Sequence, residues 1–185
     1  MKLDLTGIVD DGGYVVLNPG RYAIETKSPW YAKKSQAGNM VLRIPFTVLE
    51  EGEFKGAPNS YFHTIMASGA EDKIKTNKLY TYRLLASLGI LSEEDRGEGG
   101  ALGLEFEFGD VDDKGQQEVH SLIVNGSRRS LSGRYATAVV VVDNNREDGV
   151  SIKTLEPNSK LKEQASKETP PPQQEQKQSK VNSLF

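Results

Sequence analysis

The sequence predicts a mainly β domain: a small Greek-key barrel of five to six strands with one helix between the third and fourth strands, then a disordered C-terminal tail. Three observations carry this reading. Short β-prone runs, several of them alternating, recur between Gly, Pro and Asn turn signals. One stretch, near residues 77–88, has helical spacing and ends at a glycine. From about Asn144 the composition turns to Gln, Lys, Glu, Ser and Pro, which buries too little apolar surface to offset chain entropy.

Tyr14-Val15-Val16-Leu17 forms a short apolar run between Asp-Gly-Gly and Asn-Pro-Gly turns. Gly20 to Lys27 is the first well-formed strand, and Ser28-Pro29 ends it. Trp30 to Asn39 is too polar for a core element and reads as a loop. Met40 to Leu49 places Leu42, Ile44, Phe46 and Val48 on one face, with Arg43 on the other. Pro45 donates no ladder hydrogen bond, which implies an open edge or a bulge there. Glu50 to Glu53 turns the chain into a return strand from Phe54 to Met66, interrupted at Gly56-Ala57-Pro58-Asn59.

Thr76 or Asn77 is the candidate cap of the helix, with a start as early as Ala70 left open. Tyr80, Leu84, Leu88 and Leu91 make one stripe with Leu85 beside it, and Gly89 stands at the C-terminal cap. Leu102 to Phe108 alternates, Asp110 to Gly115 is a hairpin loop, and Glu118 to Val124 is the return arm. Arg134 to Val142 is a final, central strand. The divisions are therefore a domain over 1–143, a Pro/Gln/Lys-rich tail over 144–180, and an apolar peptide over 181–185. This strand–helix–strand order is that of an OB-fold. An open sandwich or α+β roll shares the order, because closure of a barrel is not written in it.

Composition narrows the function. The 185-residue chain has no Cys, which excludes disulfides and thiolate metal sites. Met1 to Thr6 has no apolar signal core and no run is long enough to span a bilayer, so a soluble, cytoplasmic protein is expected. The net charge of −3 is unevenly spread: residues 21–83 hold ten Lys/Arg against six Asp/Glu, while residues 84–126 hold two against ten. That excludes coating of duplex DNA by bulk charge but leaves room for a local basic groove.

Aromatic planes among cations suit single-stranded nucleic acid, whose bases stack on rings while its phosphates meet Lys and Arg. Trp30 and Tyr31 are the stacking candidates, with Lys27, Lys33, Lys34 and Arg43 for phosphates. The alternative for Trp30 is a ring folded onto the core, where Trp is usually found. Alternation exposes either Phe62 or its neighbours, and Tyr61 and His63 are assigned to the binding face. Arg128, Arg129 and Arg134 form a second basic loop, which Lys73, Lys75 and Lys78 would extend.

No catalytic or cofactor site is expected. His63 and His120 lack partners at metal spacing, Asp110, Asp112 and Asp113 fit Asp/Gly turn chemistry better than a calcium loop, and no phosphate-cradling Gly-Lys-Ser/Thr loop occurs.

Gly20-Arg21-Tyr22, Lys34 to Asn39 leading into Met40-Val41-Leu42, Gly56 ahead of Tyr61-Phe62, and Leu84 to Gly89 give the chain a resemblance. Over roughly residues 5–143 it resembles the phage-encoded OB-fold single-stranded DNA-binding proteins of replication and recombination modules. That resemblance implies single-stranded DNA binding and supplies no catalytic residues. Ser183-Leu184-Phe185 resembles the end of the bacterial sliding-clamp-binding peptide, Gln-Leu-Ser/Asp-Leu-Phe, with Val181 and Asn182 departing from it. It also resembles the terminal-Phe tails that recruit replication partners, although residues 156–185 hold five Lys against four Glu where such tails are strongly acidic. Val181, Leu184 and Phe185 are thus the partner-binding candidates, for a clamp or other replisome protein. The rival function is a protein adaptor acting on a host replication or defence protein; oligomeric state is left open.

Overall fold

The computed structural model describes residues 15–66, 69–97 and 102–158. They form one antiparallel sheet of nine strands with a single α-helix. In chain order these are β1 (Gly20–Thr26), β2 (Trp30–Lys34), β3 (Met40–Val48), β4 (Pro58–Met66), α1 (Glu71–Ser87), β5 (Leu104–Val111), β6 (Gln116–Val124), β7 (Ser127–Arg129), β8 (Tyr135–Val142) and β9 (Val150–Pro157). The helix therefore follows the fourth strand rather than the third. No helix among the described residues is long and apolar enough to cross a membrane.

The sheet runs β5-β6-β2-β3-β1-β8-β9, with β4 on the other edge of β3 and β7 beside β6. It is not closed. The long β3 does the work of two strands: its first half pairs with β2 and its last residues with β1. Pro45 sits at the changeover, where its carbonyl accepts Lys27 N–H at 2.8 Å. A residue's N–H and C=O leave a strand on the same side, so the donor that Pro45 lacks would point where the neighbouring chain turns at Ser28-Pro29. No bond toward β4 is lost, and Pro45 needs neither an open edge nor a bulge.

β4 and β9 carry the two edges that closure would join, and α1 packs against both. Its buried positions include Thr81, Leu84, Leu85 and Ser87, whereas Tyr80, placed in the stripe by its spacing, is exposed. The helix takes the early start, with Ala70 at its cap, and Asn77 instead donates its side-chain N–H to Thr64 O on β4. At the other end Gly89, at φ +65, turns the chain as predicted: its N–H reaches Ala86 O and Ile90 N–H reaches Leu85 O, both at 2.9 Å. Val15 to Leu17 forms no strand, but Leu17 is buried and Asn59 Nδ2 donates to Val15 O.

Two boundaries move. Trp30 to Lys34 is a strand, not a loop, which confines the turn to Ser35–Asn39: Ser35 N–H donates to Asn39 O at 2.8 Å, and Gly38 takes φ +80. Residues 150–157, assigned to the tail, instead pair along β8 and bury Leu155. The pairing skips one residue: Val139 faces Thr154 and Val140 faces Ile152. Lys153 is the extra residue of a bulge, so the inward positions run Val150, Ile152, Leu155 and the period of two is broken. The remaining tail, with Val181, Leu184 and Phe185, lies outside the described residues.

Candidate nucleic-acid interface

Alternation in β2, β3 and β4 sends one set of side chains inward and the other to the outer face. Trp30, Ala32, Leu42, Ile44 and Phe46 are inside. On the outer face, Tyr31 stands opposite Arg43, and Arg43 opposite Phe62. Three adjacent strands thus carry aromatic ring, guanidinium and aromatic ring at one level. One step along, Lys33, Val41 and Thr64 form the next row.

Strands lie about 4.8 Å apart, so the two aromatic positions are separated by about 10 Å. That leaves room for splayed bases on the two rings and a phosphate over the cation between them. Phe62 is 52 % exposed. Arg43 is half-buried, and its Nε donates to Ser60 Oγ at 3.2 Å, which orients the guanidinium along the row. Tyr31, Val41, Arg43 and Phe62 line an open groove of about 340 Å³ with Lys33, Lys34 and Gln116. Lys33 and Lys34 are exposed and carry no ion pair among the described residues. Glu118, opposite Tyr31 on β6, is the acid nearest the row in register. The Ser35–Asn39 turn fixes the end of the hairpin; Ser35 Oγ accepts Asn39 N–H at 3.1 Å.

Five predicted residues therefore share this face or its rim: Tyr31, Lys33, Lys34, Arg43 and, beyond the end of β1, Lys27. Lys27 is paired with Glu25, which offsets its charge. The other candidates are corrected. Trp30 is fully buried opposite Val119, because it opens β2 on the inward phase; its Nε1 has no hydrogen-bond partner among the described residues. It offers no stacking surface. Tyr61 and His63 occupy the inward phase of β4, set by the pairing of Arg43 with Phe62. Burial raises the Tyr61 hydroxyl above its ordinary pKa and pushes the His63 imidazole down to about 4. His63 Nε2 lies 3.0 Å from Thr81 Oγ1, joining β4 to α1.

The second basic loop is committed elsewhere. Arg128 makes two bonds to Glu107, at 2.7 and 3.0 Å. Glu107 is held below the usual carboxylate range, first by the Ser121 hydroxyl and then by Arg128. Arg129 reaches Asp95 at 2.7 Å, and that carboxyl is lowered first by the Ser92 backbone and also by Arg129. Arg134 donates from Nε and Nη2 to Ser130 O at 3.0 and 2.8 Å; burial lowers its pKa, with Arg129 adding to the effect. These arginines staple loops and do not form an open phosphate track.

Phe62 and Val41 are the site residues that sequence reasoning missed. Three consecutive ring-bearing residues, Tyr61, Phe62 and His63, erase the polarity contrast that normally reveals a strand's faces. The register with β3 would have found Phe62: Arg43 cannot sit in the core, so its partner is outside too. No protein-family description matches the chain, and no curated protein or solved structure gives a significant match.

Proposed function

We propose that this chain binds single-stranded DNA across the outer face of β2, β3 and β4, in a sequence-tolerant manner. The observation that carries the reading is the in-register row Tyr31–Arg43–Phe62 with the unpaired cations Lys33 and Lys34 at its end. Stacking on a ring is indifferent to base identity, which makes the expected binding sequence-tolerant. The finer architecture belongs to the same proposal: β1 and β2 act as one bent strand around β3, as in an OB-like barrel left open between β4 and β9. Together with the sequence resemblance, this favours a role in phage DNA replication or recombination, in the host cytoplasm. The tail would then recruit a replication partner through Val181, Leu184 and Phe185.

The test is a fluorescence-anisotropy titration of labelled oligo(dT) at rising salt. Binding at micromolar concentration or tighter, weakening with salt, is the expected result. No binding at low salt overturns the proposal, and equal affinity for duplex and single strand overturns the single-strand preference.

A further inference from the structure

The cleft beside the open seam of the sheet presents a second set of cations. It has a volume of about 400 Å³ and lies between β4, α1 and β9. Arg83 of α1 and Lys153 of β9 line it, with Tyr61, His63, Tyr80 and Thr154. Among the described residues, no Asp or Glu lines it. Both cations are exposed, and neither has an ion pair or hydrogen bond among the described residues; Arg83 lies 6.0 Å from the centre of the Tyr80 ring. Glu71 and Asp72 stand in the first turn of α1, about 16 Å along the axis from Arg83. Lys153 is there because it is the bulged residue of β9, and a bulge re-aims its side chain out of the regular alternation. A regular β9 would not supply this residue at this place.

The cleft also neighbours the outer face, across the edge of β4. Phe62 borders both the groove over β2 and β3 and a hollow between β4 and the Ser151-Ile152 segment of β9. The next residues along those two strands, Tyr61 and His63 on one side and Lys153 and Thr154 on the other, line the cleft. A chain leaving Phe62 and following the seam thus passes from one pair of cations to another.

We propose that this cleft is a second phosphodiester-binding subsite, occupied by the continuation of the strand that lies on Tyr31, Arg43 and Phe62. The inference rests on the single-strand reading of the outer face. Its occupant is chosen by chemistry: two unpaired cations without a carboxylate favour a polyanion, and rings at the rim favour one that carries bases.

The test uses the full chain and two ligands, (dT)5, which spans the outer face alone, and (dT)20, which reaches both sites. The variants are the neutral pair Arg83→Gln/Lys153→Gln and the reversed pair Arg83→Glu/Lys153→Glu, with circular dichroism melts to establish that each is folded. The (dT)5 affinity should stay within about twofold of wild type. The (dT)20 affinity should fall about tenfold or more in the reversed pair. In the neutral pair the log-affinity against log-salt slope for (dT)20 should shrink by about 1.4, two phosphates at about 0.7 each. Unchanged (dT)20 affinity and slope would overturn the inference, as would an equal loss for both lengths. Failure of the wild-type chain to bind either ligand would instead overturn the reading of the outer face.

Discussion

Replacing Phe62 by Ala separates the binding surface from the fold more sharply than any other single change. The ring is 52 % exposed and stands at the end of the Tyr31–Arg43–Phe62 row. Truncating a fully buried Phe costs about 3–5 kcal/mol, much of it from the cavity left behind. Here half the ring already meets water and no closed cavity forms, so the cost to stability is about 1–2 kcal/mol. A domain stable by roughly 5–15 kcal/mol remains folded. If one base stacks on the ring, its loss removes about 1–3 kcal/mol of binding, or about 5- to 150-fold in Kd. Tyr31→Ala should behave alike, and the two losses should add, since the positions lie about 10 Å apart. The assay is anisotropy with labelled oligo(dT), alongside urea melts of each variant. Tyr61→Ala is the control, read with (dT)5, which spans the outer face alone: the side chain faces away from that face, so the change should cost stability while the folded fraction keeps its (dT)5 affinity. Near-wild-type binding by Phe62→Ala, with lost binding by folded Tyr61→Ala, would refute the parity assigned to β4.

Three further outcomes follow from burial and pairing. Trp30 is the only Trp, so its native emission should be short-wavelength and unmoved by oligo(dT), and Trp30→Ala should cost about 3–5 kcal/mol in urea melts. Trp30→Phe should cost much less than that, because it also deletes a buried N–H that has no partner. His63 titrates near 6.5 when unfolded and near 4 when folded, so between those values the unfolded chain binds the extra proton and stability falls as pH falls. After discounting for partial exposure, the loss from pH 7 to 4 is on the order of 2 kcal/mol; it should vanish from the wild-type-minus-His63→Gln difference if the imidazole is not its source. A chain ending at Asn144 should fail to give a cooperative melt, because it lacks β9 and uncovers Val140, whereas one ending at Asn158 should melt cooperatively.

What was legible in the sequence was whatever kept a clean period. β3 was placed with its inward residues correct, as was the helix end at Gly89, and the hairpin turn expected over Asp110–Gly115 lies within those bounds at Asp112–Gly115, because each has a local cause. Asp112 Oδ1 accepts the N–H groups of Lys114 and Gln116, and Gly89 adopts the left-handed conformation. What was lost depended on partners far along the chain. The parity of β4 is set by β3, and the strand character of Trp30 to Lys34 by pairing with both β3 and β6. β9 was hidden by its own bulge. The second basic loop looked free because Glu107 and Asp95, which bind its arginines, lie 21 and 34 residues away. Of the candidate interface, the cations and Tyr31 were readable. The ring that completes the row was not.

The open seam has one more consequence. In a closed barrel, every strand is hydrogen-bonded on both sides, and a change in circumference requires a change in strand number or stagger. Here the gap between β4 and β9 is spanned by side chains of α1 instead of by a ladder. Its width is therefore set by residue size at positions such as Leu84, Thr81 and Leu155, not by the fixed spacing of backbone bonds. A larger or smaller residue at one of these positions would open or narrow the seam while every strand pairing in the sheet stayed intact. The girth of the domain is adjustable in steps of a methyl group.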